Sequence, residues 1–344
     1  MDESQGWDER AVAYSELTLT PAFEKAYDKA IALSGIEGKQ VNCILDVSCG
    51  NGRLLSRAIK KADVKIAIGV DISGEMLRLA KDNLKDAGAC VSSKPLEVYK
   101  KLYRVLARGR KGEQVIEEYR RVYDEYTAIK EKRAGKTLAM LLKQDRNDLK
   151  FELKPVADAV FFTFPYIGNL RSAQPVEKDV DYLTSRIIIW AHVTYNFCNA
   201  LNYLKEEGRL VTLVPMLLHE KEEYEFIKTI FKSLERAGCR IAHLELEDNK
   251  PLKDLFFKLD QYKGGDARFI WAVITRTKDT PNMPAIREGL AKSALQMIKF
   301  LERAETPGKA RLAKNRKEHW CILIGKEELD LIETLATIKA IINH

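Results

Sequence analysis

Residues 41–84 read VNCILDVSCGNGRLLSRAIKKADVKIAIGVDISGEMLRLAKDNL, and the order of elements in them decides the fold. An apolar run, Cys43-Ile44-Leu45, reaches Asp46, and Gly50 and Gly52 then turn the chain into a helix. A second apolar run over 66–70 ends at Asp71, and a second helix follows. Strand, glycine loop, helix, strand and terminal acid in this order predict an α/β domain on a parallel sheet. The crevice beyond the carboxyl ends of the first strands of such a sheet takes a nucleoside-containing ligand. The glycines let the backbone come close to that ligand, and the second-strand carboxylate accepts from both ribose hydroxyls.

What is missing narrows the ligand. A dinucleotide fingerprint wants a third glycine three residues after the second, where the helix start meets a pyrophosphate. That position is Leu55, so no pyrophosphate cradle is written, and Lys60 and Lys61 lie too far along the helix for a Walker-type loop. The segment resembles the S-adenosylmethionine-binding half of class I methyltransferases. Asp46-Val47-Ser48-Cys49-Gly50-Asn51-Gly52 matches their first motif, with Ser48 where many members have glycine. Gly69-Val70-Asp71-Ile72-Ser73 followed by Glu75-Met76-Leu77 matches the next. Two motifs in order and correctly spaced outweigh an ordinary βαβ unit with incidental glycines. The resemblance implies a Rossmann-like sheet of seven strands and S-adenosyl-L-methionine as cofactor. It implies cofactor-binding roles for Asp46, Ser48, Gly50, Gly52, Asp71 and Ile72.

With 344 residues, 46% hydrophobic and 31% charged, the chain is long enough for one large α/β domain with insertions, or for two domains. No apolar run approaches membrane-spanning length, and the polar start MDESQGWDER does not read as a secretory signal. The six cysteines are scattered without a CxxC pair, as expected of reduced thiols in a cytoplasmic protein. Neither they nor the five histidines have metal-ligand spacing, so no metal site is expected.

The net charge of +7 is unevenly spread: residues 94–136 hold thirteen basic residues against seven acids. A second basic run, KARLAKNRK, occupies 309–317. Such patches attract polyanions, nucleic acid above all, although interspersed acids also suit a solvated helix face. Residues 91–136 also interrupt the fold, since the chain would otherwise pass directly to its third strand. Tyrosines at helical spacing (Tyr99/Tyr103 and Tyr119/Tyr123/Tyr126) and the break at Arg108-Gly109-Arg110-Lys111-Gly112 predict an inserted basic helical hairpin. Its tyrosine stripe reads as a packing seam rather than a base-stacking platform.

The third strand is read at 138–142, leading to Asp145, which the resemblance makes the partner of the adenine amino group, with Asp148 as the alternative. A fourth strand at 157–162 runs into Thr163-Phe164-Pro165-Tyr166. This tetrapeptide resembles the Ser-Pro-Pro-Tyr form of amino-directed DNA methyltransferases, with Thr163 for serine and Phe164 for the first proline. The resemblance implies that the Thr163 hydroxyl and Phe164 carbonyl orient an exocyclic amine, that Pro165 stiffens the loop and that Tyr166 stacks on a flipped base. Further strands at 209–215, 240–246 and 268–275 complete the sheet, the last as the family's antiparallel insertion. Helices are expected at 181–204 and 220–237.

The expected layout is an N-terminal segment over 1–40, a methyltransferase domain over 41–277 with its insert at 91–136, and a C-terminal extension over 278–344. In the N-terminal segment, Gly6-Trp7-Asp8 with Ala11 and Tyr14 looks like the lid of small-molecule methyltransferases. The expected activity is methylation of a base amino group, DNA favoured over RNA. The rivals are a methyltransferase for a small molecule or protein, and a non-catalytic cofactor-binding subunit. A membrane partner is not expected, and the oligomeric state is left open.

Overall fold

The computed structural model describes residues 3–92, 136–144, 157–163, 200–217, 238–252 and 267–277, with isolated positions at 197, 228, 231, 232, 234, 235 and 254. Two helices, α1 (Glu3–Leu17) and α2 (Pro21–Ser34), precede the sheet. There follow β1 (Gln40–Asp46), α3 (Arg53–Lys61), β2 (Asp63–Asp71), α4 (Gly74–Asp86) and a two-residue β3 (Cys90–Val91). After the insertion come β4 (Leu138–Lys143), β5 (Ala157–Thr163), β6 (Leu204–Leu217), β7 (Cys239–Glu247) and β8 (Ala267–Arg276).

The strands form one sheet in the order β3-β4-β2-β1-β5-β6-β8-β7. Every pair from β3 to β6 is parallel, while β8 runs antiparallel between β6 and β7. The seven expected strands are therefore present in a Rossmann-like α/β fold, with the last strand inserted antiparallel as anticipated. One edge strand is added: Cys90 and Val91 pair with Leu138 and Ala139 before the insertion begins. A left-handed Gly88 (φ 84°) ends the turn after α4 and returns the chain to the sheet edge.

Local sequence accounts for the helix limits. Pro21 opens α2, where its missing N–H costs nothing, and Gly35 closes it at φ 70°. Ser73 caps α4 by accepting from the Met76 amide at 3.1 Å. Gly52, at φ 71°, ends the loop before α3, and a Cβ there would stand 2.9 Å from the Ala80 Cβ of α4. This position thus requires glycine for both conformation and packing.

Alternating strand residues build two cores. Ile44, Ala67, Ala139, Phe161 and Trp271 pack under α2 and α3, where they meet Phe23, Ile31 and Leu55. Leu45, Val70, Met140 and Phe162 face the other layer. There Phe197 stands edge-on to Phe162 at 5.4 Å and Phe231 packs behind it. The helix expected at 181–204 stops earlier: 200–201 are helical, 202–203 turn, and Leu204 already pairs with Ala157. The pairing then jumps to Ala159 with Arg209, so residues 205–208 bulge out of the ladder, with Glu207 at φ 59°.

Candidate cofactor site and acceptor loop

The chain builds outward from β1 to β2, β4 and β3, then crosses back to β5 and β6, so the topological switch lies between β1 and β5. Ligands of open α/β sheets bind above such a switch, at the strands' carboxyl ends. Asp46, Asp71, Gln144 and Thr163 stand at those ends of β1, β2, β4 and β5.

Backbone and side-chain hydrogen bonds lock the glycine loop to this rim. The Gly50 amide donates to Asp71 Oδ2 at 2.8 Å, and the Ser73 amide donates to Asp71 Oδ1 at 2.9 Å. The Cys49 amide donates to the Val70 carbonyl, and Gln144 donates its amide to the Asp71 carbonyl. A carboxylate has about four acceptor sites, and each oxygen of Asp71 accepts one of the Gly50 and Ser73 amides. Gly50 adopts φ 50°, and among the described residues the Tyr14 ring stands 3.4 Å from the place of a Cβ. Ile72, on the same loop, is half-buried.

Asp46 is 1% exposed and accepts from the Ser48 amide at 3.2 Å. Burial pushes its carboxyl up to about 7; the Ser48 bond works against this and the nearby Asp71 charge adds to it. Burial also raises the hydroxyls of Tyr14 and Tyr27 above their ordinary range, and both sense the Asp46 carboxylate.

Helix α1 is hydrogen-bonded to this rim through Asp8, Ser15 and Thr18. Asp8 accepts from the Ser73 hydroxyl and from the Glu75 amide at 3.0 Å, so it acts as a second cap on α4. The Ser73 hydroxyl first, then the Glu75 amide, hold its carboxyl below the usual range. Ala11 is fully buried, and Trp7 stands edge-on to Tyr14. At the other end of the helix, Asn51 Nδ2 donates to Ser15 Oγ at 3.0 Å and Thr18 Oγ1 at 2.8 Å. Asn83 of α4 donates to the Asn51 carbonyl at 2.8 Å. Asn51 and the Asp8–Ser73 pair were missed from sequence; the Asx character of Asn51 within the glycine loop was the signal available for the first.

The residues fit an adenosyl cofactor. Two buried polar atoms near the rim have no hydrogen-bond partner: Arg53 Nε, just after the glycine loop, and Gln144 Oε1, beside Asp71. Gln144 was passed over in favour of its neighbour Asp145, which lies outside the described residues together with Asp148. So do Phe164, Pro165 and Tyr166, the basic runs at 94–135 and 309–317, and the extension over 278–344. Thr163 is described: it is 6% exposed, pairs with Leu213 of β6 and ends the strand beside β1. Among the described residues there is no group of three or more acids, histidines or cysteines able to hold a metal. No described helix is long and apolar enough to cross a membrane.

A family model described as a methyltransferase domain matches residues 44–101, which take in the glycine loop and the acid-terminated second strand. The chain carries a class I, S-adenosylmethionine-dependent methyltransferase domain. No curated protein is a detectable sequence relative of it. The N-methyltransferase NodS from Bradyrhizobium japonicum WM9, in complex with S-adenosyl-l-homocysteine, is similar at a TM-score of 0.44. It is 10% identical over 80% of this chain and 100% of that one. TYW2 from M. jannaschii, in complex with AdoMet, gives 0.37 at 13% identity over 72% and 75%. Geranyl diphosphate C-methyltransferase from Streptomyces coelicolor A3(2) gives 0.38 at 11% over 73% and 79%. Likenesses this distant carry no statement about the acceptor of this methyltransferase.

Proposed function

We propose that this methyltransferase acts on an exocyclic amino group of a nucleic-acid base, with DNA favoured over RNA. The observation that carries the reading is the place of Thr163: buried at the carboxyl end of β5, one strand from Asp46 and the glycine loop. From there the chain continues into Phe164-Pro165-Tyr166.

The chemistry explains the choice of residues. An exocyclic amine delocalises its lone pair into the ring and is a poor nucleophile. The Thr163 hydroxyl and Phe164 carbonyl, accepting from its two N–H groups, localise that pair and aim it. Tyr166 offers an aromatic face to a base turned out of its stack. When bound, S-adenosylmethionine supplies a methyl group on a sulfonium that leaves as a neutral thioether. Thr163 and Phe164 would hold the amine nitrogen toward that methyl group, and the proton the amine then sheds would pass to solvent. The basic residues of 94–136 and 309–317 supply phosphate contacts, so binding weakens steeply with salt.

A second reading, a small-molecule acceptor, is favoured by α1, whose Asp8 and Ser15 are hydrogen-bonded to the rim. Tritiated S-adenosylmethionine offered with separate DNA, RNA, protein and metabolite pools separates the two. Label in DNA, reduced at least about 100-fold by Thr163→Ala, is the expected result. Label confined to metabolites or protein, or indifference to Thr163→Ala, overturns the amine-directed reading.

A further inference from the structure

Two left-handed glycines flank Asn51 in the loop after β1, Gly50 at φ 50° and Gly52 at φ 71°. Glycines give a loop wide freedom, and a ligand that needs one conformation must remove that freedom on binding. Asn51 itself is not at positive φ, so its backbone does not call for asparagine. Its side chain does. Asn51 is 1% exposed, and its Nδ2 donates to Ser15 Oγ at 3.0 Å and to Thr18 Oγ1 at 2.8 Å. Both hydrogens of the amide are thus engaged by one turn, where α1 ends.

That turn is itself held. Thr18 is fully buried, its hydroxyl donates to the Ser15 carbonyl at 2.7 Å, and its amide donates to the Tyr14 carbonyl at 3.1 Å. Asn83 of α4 donates to the Asn51 carbonyl at 2.8 Å, so Asn51 is gripped from α1 by its side chain and from α4 by its backbone. One residue earlier, the Gly50 amide donates to Asp71 on the crevice rim. The loop therefore has one anchor within the sheet and a second on a segment that precedes the sheet in sequence.

We propose that Asn51 is a positioning residue: through Ser15 and Thr18 it makes the end of α1 part of the frame that holds the glycine loop ready for the cofactor. This rests on the cofactor assignment and goes beyond it, because the effect runs through loop conformation rather than through a ligand contact. Without these acceptors the buried Nδ2 hydrogens are left unpaired, and the loop leaves the conformation they fix. If about one loop in ten then remains competent, apparent affinity falls about tenfold.

Calorimetry of the full chain with S-adenosylhomocysteine tests this, using Asn51→Ala, Thr18→Val, their combination and Thr18→Ser. Asn51→Ala and Thr18→Val are each expected to weaken binding about 10-fold, and the combination no more than the larger single loss, since both cut one connection. Thr18→Ser keeps the acceptor oxygen and is expected to stay within about twofold of the unaltered chain. Thermal denaturation of the ligand-free proteins sets a titration temperature at which the variants are folded. Should Asn51→Ala not fold, Thr18→Val against Thr18→Ser decides alone. Variants that melt earlier yet bind S-adenosylhomocysteine as the unaltered chain does overturn the proposal, because Asn51 then serves stability only. Losses that add up in the combination overturn it as well. If the unaltered chain does not bind S-adenosylhomocysteine, the cofactor assignment itself fails, which the wild-type titration alone reveals.

Discussion

The amide of Gly50 donates to the carboxylate of Asp71 across 2.8 Å, tying the loop after β1 to the end of β2. The same carboxylate takes the Ser73 amide on its other oxygen. One side chain thus holds together the two loops that line the cofactor crevice. Binding then finds its acceptor already oriented, which lowers the ordering cost.

Asp71→Asn replaces one acceptor oxygen by a donor facing a backbone amide. It should weaken S-adenosylhomocysteine about 10- to 100-fold, with a smaller loss of stability. Calorimetry beside a denaturant melt reads both quantities; undiminished affinity would remove Asp71 from the ribose site.

Gly52→Ala should be among the most damaging single-methyl changes in the chain. A left-handed alanine costs about 1–2 kcal/mol, and its Cβ would press on Ala80 at 2.9 Å. A total loss of about 2–4 kcal/mol is expected in urea unfolding. Gly50→Ala has the same backbone strain but, among the described residues, meets just the Tyr14 ring at an ordinary 3.4 Å, so its loss should be smaller.

Asp46 makes stability depend on pH. Its folded carboxyl titrates near 7, above the ordinary value near 4, so the native state keeps a proton that the unfolded chain releases. Its contribution is fully present below about 4 and is lost as pH rises towards 7, at no more than about 1.4 kcal/mol per pH unit. Melting of the ligand-free protein should therefore weaken from pH 5 to 7.5, and Asp46→Asn should flatten that slope. A slope unchanged in the variant would place the titration elsewhere.

Asp8→Asn tests whether α1 belongs to the cofactor site. The change removes the charge that holds the Ser73 hydroxyl and the Glu75 amide, worth about 0.5–2 kcal/mol for a helix cap. Amide exchange of residues 3–17 should accelerate, and S-adenosylhomocysteine should restore part of the protection. Exchange that ignores the ligand in both proteins would separate α1 from the site.

Much of the site was legible because its residues are neighbours along the chain. Asp46, Gly50, Gly52 and Asp71 all fall within one βαβ unit, where strand ends and turn glycines announce themselves. Asp8 was visible only as part of a lid-like segment, since its partners Ser73 and Glu75 lie some 65 residues away. The two-residue β3 has no periodicity to detect, and the early start of β6 hides behind the charged bulge at 205–208.

The amino-acid sequence by itself determined the α/β class, the glycine loop and the acid that ends β2. These depend on hydrophobic period and on backbone angles that only certain residues adopt. Tertiary structure decided which charges are satisfied. Arg57 and Lys61 of α3 find Asp28 of α2. Burial pushes the Asp46 carboxyl up to about 7, and α1 is fastened through Asp8 and Ser15 to the cofactor loops. Such outcomes depend on burial and on distances between segments far apart in the chain, and no local pattern encodes either.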